Sequence, residues 1–211
     1  MREIKFFIIP TILFFMVCGI FLCINPDRVL AQLLLHNWWY SENLNQIMKF
    51  ITSWGEGQLF AIVILVYAFQ KSWWRAGEFL LAGIISSVVV QILKRLIFTS
   101  SLRPMAIIDW GETQLNLSMG VEMPLQFSFP SGHTTAAFIW FTLMALHWKR
   151  PVLHFFSALC AIAVAVSRVY LMVHWITDVL AGVLLGITIA LAVNALSERV
   201  QKKSALDSRA D

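Results

Sequence analysis

The sequence predicts an all-α protein, a bundle of six transmembrane helices with an interfacial amphipathic segment after the first. Three observations carry that reading. Of 211 residues, 59% are hydrophobic and only 13% charged, where soluble domains carry about 45–50% and about 25%. Mean hydropathy is +0.74. Apolar stretches close to the roughly twenty residues that a helix needs to cross a bilayer recur along the whole length. The expected organisation is one membrane-embedded domain over residues 1–197 and a mobile cytoplasmic tail over 198–211, whose mixed charges, Ser and Ala build no apolar face.

The spans are expected at 5–24, 57–70, 78–98, 132–148, 152–171 and 174–196. The first is too long an apolar run for a signal peptide. Its exit, Asn25-Pro26-Asp27, is no small-residue cleavage site, so the helix is retained. His36, Asn37, Trp38, Trp39 and Tyr40 then give an amphipathic stretch suited to the headgroup layer. Trp73, Trp74 and Trp148 at span ends fit the same belt. The longest connection, 99–131, carries Asp109, Glu112 and Glu122 and is a place for specificity. In the sixth span Gly182 and Gly186, flanked by Ala181 and Ala190, form a small-xxx-small pair for helix packing.

Lys and Arg set the expected orientation. With a cytoplasmic N-terminus, ten of the sixteen fall inside: Arg2, Lys5, Lys71, Arg75, Lys149, Arg150, Arg199, Lys202, Lys203 and Arg209. Both termini are then cytoplasmic, and the 25–56, 99–131 and 168–174 connections face outward. The net charge of +4 is not a nucleic-acid signature, because the basic residues sit at helix ends and in the tail. Cys18, Cys23 and Cys160 lie in apolar stretches without metal spacing, so neither a disulfide framework nor a metal site is expected.

Ionisable groups at membrane depth cost roughly 2.5–3.5 kcal/mol each on insertion scales and so call for a reason. Here they gather at the outer ends of spans three to six. Lys94 and Arg95 precede Arg103-Pro104; then come Pro130-Ser131-Gly132-His133, and Ser167-Arg168 with His174 and Asp178. His174 and Asp178, four apart on the sixth helix, can touch. A carboxylate on Nδ1–H fixes the tautomer and leaves Nε2 free to attack. Arg168 offers a bidentate fork for phosphate oxygens. Ser131 suits an N-cap, Gly132 lets backbone approach a ligand, and His133 stands where a leaving group could take its proton. Cations around an anion, flanked by two imidazoles, make a phosphoryl-transfer site.

These residues resemble the motifs of the type 2 phosphatidic acid phosphatase superfamily, Lys-x6-Arg-Pro, Pro-Ser-Gly-His and Ser-Arg-x5-His-x3-Asp. The second matches at 130–133, and the third at Ser167, Arg168, His174 and Asp178. The first departs: eight residues separate Lys94 from Arg103 and seven separate Arg95 from it, so both compete for the lysine's place. The resemblance implies His174 as nucleophile forming a phosphohistidine, Asp178 orienting it, and His133 protonating the departing oxygen and later assisting water. It implies Lys94, Arg103, Ser131, Gly132 and Arg168 as holders of the phosphate.

Two histidines and a carboxylate could also ligate a divalent ion. Three cations beside it favour an anion instead, so no cofactor and metal-independent turnover are expected. His36, His147 and His154 match no motif and are read as interfacial. The expected substrate is a polyprenyl phosphate or phospholipid at the outer leaflet of a bacterial inner membrane. Undecaprenyl diphosphate stands first; phosphatidylglycerophosphate, phosphatidic acid and lipid A phosphates follow. No obligate protein partner is inferred. A non-catalytic lipid-phosphate carrier would need the cations but not both histidines and Asp178; a vanadate-dependent oxidase shares the motifs, but those relatives are soluble.

Overall fold

The computed structural model describes residues 4–108 and 124–207, and among these every regular element is helical. The elements are α1 (Lys5–Ile24), α2 (Arg28–Trp39), α3 (Glu42–Ser53), α4 (Gly57–Phe69) and α5 (Trp73–Ile92), which ends in a π-helical turn at Leu93–Ile97. After these come α6 (Pro104–Ile107), α7 (Gly132–His147), α8 (Pro151–Tyr170) and α9 (Ile176–Asp207). Asp109, Glu112 and Glu122 of the longest connection lie outside the described residues.

Among the described residues four helices are long and apolar enough to cross a membrane: Lys5–Ile24, Trp73–Ile97, Pro151–Tyr170 and Ile176–Ser204. The expected span at 57–70 is shorter than required. α4 has 13 residues, about 20 Å at 1.5 Å per residue, and reaches spanning length only with α3, across a bend of 52°. α7, at 16 residues, is also short. The third span opens earlier than expected, at Trp73, and α9 continues as one helix of 32 residues to Asp207. Residues 198–207 of the expected tail are therefore helical, and 208–211 lie outside the described residues.

α7 is the axis of the core. It buries residues on all its faces, including Thr134, Phe138, Leu143 and Ala145, as a helix enclosed by others must. α8 and α9 flank it. α9 comes close through the small-xxx-small pair: a Cβ at Gly186 would lie 2.7 Å from both Phe138 Cβ and the Thr135 carbonyl, and one at Gly182 would lie 2.9 Å from the Ser131 carbonyl. The outer surface carries large apolar side chains in the open, among them Ile9, Leu13 and Val17 of α1, Leu65 of α4, and Ile84 and Val88 of α5. Such a belt suits lipid rather than water.

α1 runs parallel to α8. Its early residues Phe6 and Pro10 lie with Phe155 and Leu159, and its late residue Phe21 with Val169. Asp27 then caps α2, its carboxylate accepting from the amides of Val29 and Leu30, and Ser41 caps α3. Gln32 donates to the Val169 carbonyl at 2.8 Å, while Tyr170 donates its hydroxyl to the Ser41 carbonyl and accepts from the Ser41 amide. These bonds fasten α3 across the C-terminal end of α8. There the bend into α4 is held by the Trp140 indole donating to the Trp54 carbonyl. His36 and His154, read as interfacial, are buried within the protein.

Replacing Gly186 by leucine would force Phe138 and the Thr135 carbonyl aside, and overpacking of this kind costs roughly 1–3 kcal/mol. Gly186→Leu is expected to lower the thermal midpoint of detergent-solubilised protein clearly. Gly19→Ala, where nothing lies within 4 Å of an added Cβ, should leave it nearly unchanged; equal effects of the two would refute the packing account.

Candidate active site

Asp178, in the first turn of α9, organises the site. Its Oδ2 accepts from the Trp175 amide at 3.0 Å and from the Ser128 hydroxyl, and lies 3.3 Å from His174 Nδ1. The contact predicted from the sequence is present, but on a different backbone. α9 starts at Ile176, so His174 precedes it, in a turn that Met172 enters with φ 59°. With Nδ1–H donating to the carboxylate, Nε2 is the unprotonated nitrogen. His174 is 1% exposed. Burial above all, then Arg103, Arg168 and Lys94, hold its pKa well below the usual histidine range, so the ring is neutral at neutral pH.

The cations converge from three elements. Arg103, between the π turn and α6, donates Nε to the Gln126 carbonyl at 3.0 Å and Nη1 to the Val173 carbonyl at 3.1 Å. Burial lowers its pKa, with Asp178 opposing. Arg168, near the end of α8, donates Nη1 to Thr52 Oγ1 at 2.6 Å, and its buried Nε has no acceptor among the described residues. Lys94 donates to the Phe127 carbonyl at 2.8 Å. Among the described residues none of the three forms a salt bridge.

Lys94 and Arg95 differ in position. The π turn sends Lys94 into the pocket, whereas Arg95 is exposed, donates to Gln91 and lies over the Phe127 ring.

Pro130, Ser131, Gly132 and His133 open α7 as the motif predicts, with one correction. Ser131 occupies the N-cap position but makes no capping bond; its fully buried hydroxyl accepts from Thr134 Oγ1 at 3.0 Å. Its amide donates to the Asp178 carbonyl, joining the second motif to the third. The expected phosphate holders therefore separate. Lys94, Arg103, Gly132 and Arg168 line one pocket of 600 Å³ together with His133 and His174; Ser131 lies behind the wall, and Asp178 behind His174.

Sequence reasoning missed four wall residues. Lys49 and Thr52 of α3, Glu56 at the bend, and Pro124 complete the pocket. For the first three, a spacing of three and four residues was the available signal, since it places them on one helical face. Also unforeseen is an apolar groove of 690 Å³ between α4 and α5, lined by Phe60, Ile64, Leu80 and Gly83. It shares Glu56, Gly132 and His133 with the polar pocket, so the two cavities adjoin. Gly55 keeps this junction tight: a Cβ there would lie 2.7 Å from the His133 carbonyl.

A family model, the PAP2 superfamily, matches residues 75–202. Phosphatidylglycerophosphatase B of Bacillus subtilis (strain 168) is 26% identical over 172 residues, which cover 75% of this chain and 78% of the relative. The putative undecaprenyl-diphosphatase YbjG of Escherichia coli (strain K12) is 46% identical over 59 residues, 28% of this chain and 29% of the relative. Among solved structures, Aquifex aeolicus LpxE has a TM-score of 0.64 at 26% identity, covering 79% of this chain and 94% of that one. The first transmembrane PAP2 type phosphatidylglycerolphosphate phosphatase from Bacillus subtilis shares the fold, with a TM-score of 0.64 at 21% identity over 92% of this chain and 96% of that one. The motifs, the helical bundle and a family match over more than half of the sequence agree: the chain belongs to the PAP2 superfamily of membrane lipid phosphatases.

Proposed function

We propose that this protein removes a phosphate from a lipid through a phosphohistidine on His174, without a metal, with undecaprenyl diphosphate first among the substrates. The observation that carries the reading is the pocket itself. Both imidazoles and four cations, Lys49 with Lys94, Arg103 and Arg168, line one cavity, and that cavity adjoins an apolar groove suited to a hydrocarbon chain. Nε2 of His174 attacks phosphorus, the bond from phosphorus to the leaving oxygen breaks, and His133 gives that oxygen a proton. Asp178 stabilises the imidazolium that results. His133 then takes a proton from water, whose oxygen displaces His174 and releases phosphate. Lys94, Arg103, Arg168 and the Gly132 amide hold the phosphoryl oxygens, whose charge they stabilise most in the transition state.

The relative named for undecaprenyl diphosphate supports that substrate, and those named for phosphatidylglycerophosphate support the alternative. A metal-free reaction is supported by the cations at the wall, whose charge suits an anion rather than a metal ion. The proposed topology has six spans, with α4 and α7 as the short ones, α2 at the interface and one domain over 1–197 followed by the tail 198–211. Lys71, Arg75 and Lys149 lie at the end of the bundle away from the pocket, which supports cytoplasmic termini and an outward-facing site in a bacterial inner membrane. A carrier that merely kept the anion pocket has no need of the His174–Asp178 pair.

His174→Ala should lower kcat/KM for phosphate release from a lipid phosphate at least roughly a thousandfold. Label from a lipid substrate carrying ³²P in its terminal phosphate should be trapped on protein after an alkaline quench in His133→Asn, and not in His174→Ala; label on both variants would count against the intermediate. Lys94→Met should cost roughly 10²–10³-fold in kcat/KM, and Arg95→Met only a few-fold; the reverse order would assign the first motif to Arg95. Turnover should persist after dialysis against excess chelator. Activity lost on chelation and restored by one added divalent ion would defeat the metal-free mechanism.

A further inference from the structure

At the opposite end of the bundle, two ionisable residues that the motifs leave unused meet inside the protein. His147 Nε2 lies on the Glu78 carboxylate, with the two side chains only 8% and 6% exposed. The rings of Tyr67 and Phe79 stand edge-on to the imidazole at 5.7 and 5.8 Å. A carboxylate enclosed in this way needs a donor facing it, so Nε2 carries a hydrogen. The other ring nitrogen, Nδ1, is buried and has no hydrogen-bond partner among the described residues.

His147 belongs to the wall of a polar pocket of 610 Å³ where the start of α5, the end of α7 and the late turns of α9 come together. Lys71, Arg75 and Lys149 line it and are exposed. Two acids also face it. Glu78 is already answered by His147, and Glu198 accepts from the Asn194 amide at 3.1 Å. Positive charge therefore exceeds negative, and a buried nitrogen waits for a partner. The pocket is distinct from the active site, because the 14 residues from His133 to His147 along α7 span about 21 Å.

We propose that this pocket is a second anion site that binds a phosphate group, either the phosphodiester of an anionic lipid in the adjoining leaflet or free phosphate. Glu78 holds the imidazole at the wall through Nε2, leaving Nδ1 as the ring atom without a partner among the described residues. Arg75 and Lys149 neutralise the anion by charge-assisted hydrogen bonds. Trp73 and Trp74, also in the wall, suit the headgroup layer in which a lipid would present that phosphate. The bound group links α5, α7 and α9, the helices that carry Lys94, His133 and Asp178 at their other ends.

The test is a thermal-shift titration of the full chain in a non-ionic detergent. Phosphatidylglycerol, inorganic phosphate and phosphatidylcholine are compared, with Arg75→Gln/Lys149→Gln as the variant and Lys94→Met as the control for binding at the active site. Arg75 and Lys149 are exposed, so the double variant should fold, which its midpoint without ligand verifies. A saturable rise with phosphatidylglycerol is expected, kept in Lys94→Met and weakened roughly tenfold or more in apparent affinity in the double variant. The same pattern with inorganic phosphate supports the site and makes free phosphate its ligand. A rise that survives in the double variant, disappears in Lys94→Met, appears equally with phosphatidylcholine, or fails to appear with either phosphate source overturns the proposal.

Discussion

Positive charge held out of water is the constraint on which this structure depends. Arg103 and Arg168 are 8% and 7% exposed, and Lys94 joins them at the pocket wall. Among the described residues their hydrogen-bond partners are carbonyl oxygens and one hydroxyl rather than carboxylates. Such dipoles hold the side chains in place without cancelling their charge, so the field in the pocket stays positive. Paired with carboxylates the same cations would bury more cheaply, but they would offer an oxyanion little. The site gives up stability for a field aimed at an anion.

Two carboxylates reach the site, Glu56 at the wall and Asp178 behind His174, and the position of Asp178 explains the assembly. Asp178 lies behind His174 and gathers the Ser128 hydroxyl and the Trp175 amide on the same oxygen, while its own carbonyl receives the Ser131 amide. The segment before α7, the turn before α9 and α9 itself are thereby fixed to one residue. Phe127 and Met172, both non-glycine residues with positive φ, flank this junction. Backbone in that region is uncommon for large side chains and persists where the surroundings hold it. Here it aims the Phe127 carbonyl at Lys94 and forms the turn that carries His174.

What was legible in the sequence was the chemistry that has a fixed spacing. Pro130 to His133, and Arg168 with His174 and Asp178, come together because a helix start and a short turn translate spacing directly into position. Lys94 and Arg95 could not be ranked, since adjacent residues on a helix point about 100° apart and the π turn alters which one faces inward. Ser131 looked like a cap because of its residue type, yet Thr134 takes its hydroxyl, a choice made by packing against α9. Span length misled at α4: hydropathy marks apolar residues but not the bend at Gly55 that divides α3 from α4. Thr52 and Glu56 were passed over because their role depends on α3 lying across the end of α8, a contact between segments more than a hundred residues apart. The contact of Glu78 with His147 escaped for the same reason; His147 looks like an interfacial residue until the two are seen together.

The shape of the cavities bears on which histidine does what in the proposed reaction. In-line displacement puts the nucleophile and the leaving oxygen on opposite sides of phosphorus. For a lipid, the leaving oxygen carries the hydrocarbon chain, so it points toward whatever receives that chain. His174 lines the polar pocket alone, with Asp178 behind it, whereas His133 lines both the pocket and the apolar groove. A phosphate held by Lys94, Arg103 and Arg168, with its chain in the groove, therefore turns its leaving oxygen toward His133 and its opposite face toward His174. The proposed assignment of acid to one imidazole and nucleophile to the other is thus supported by where an apolar chain can go.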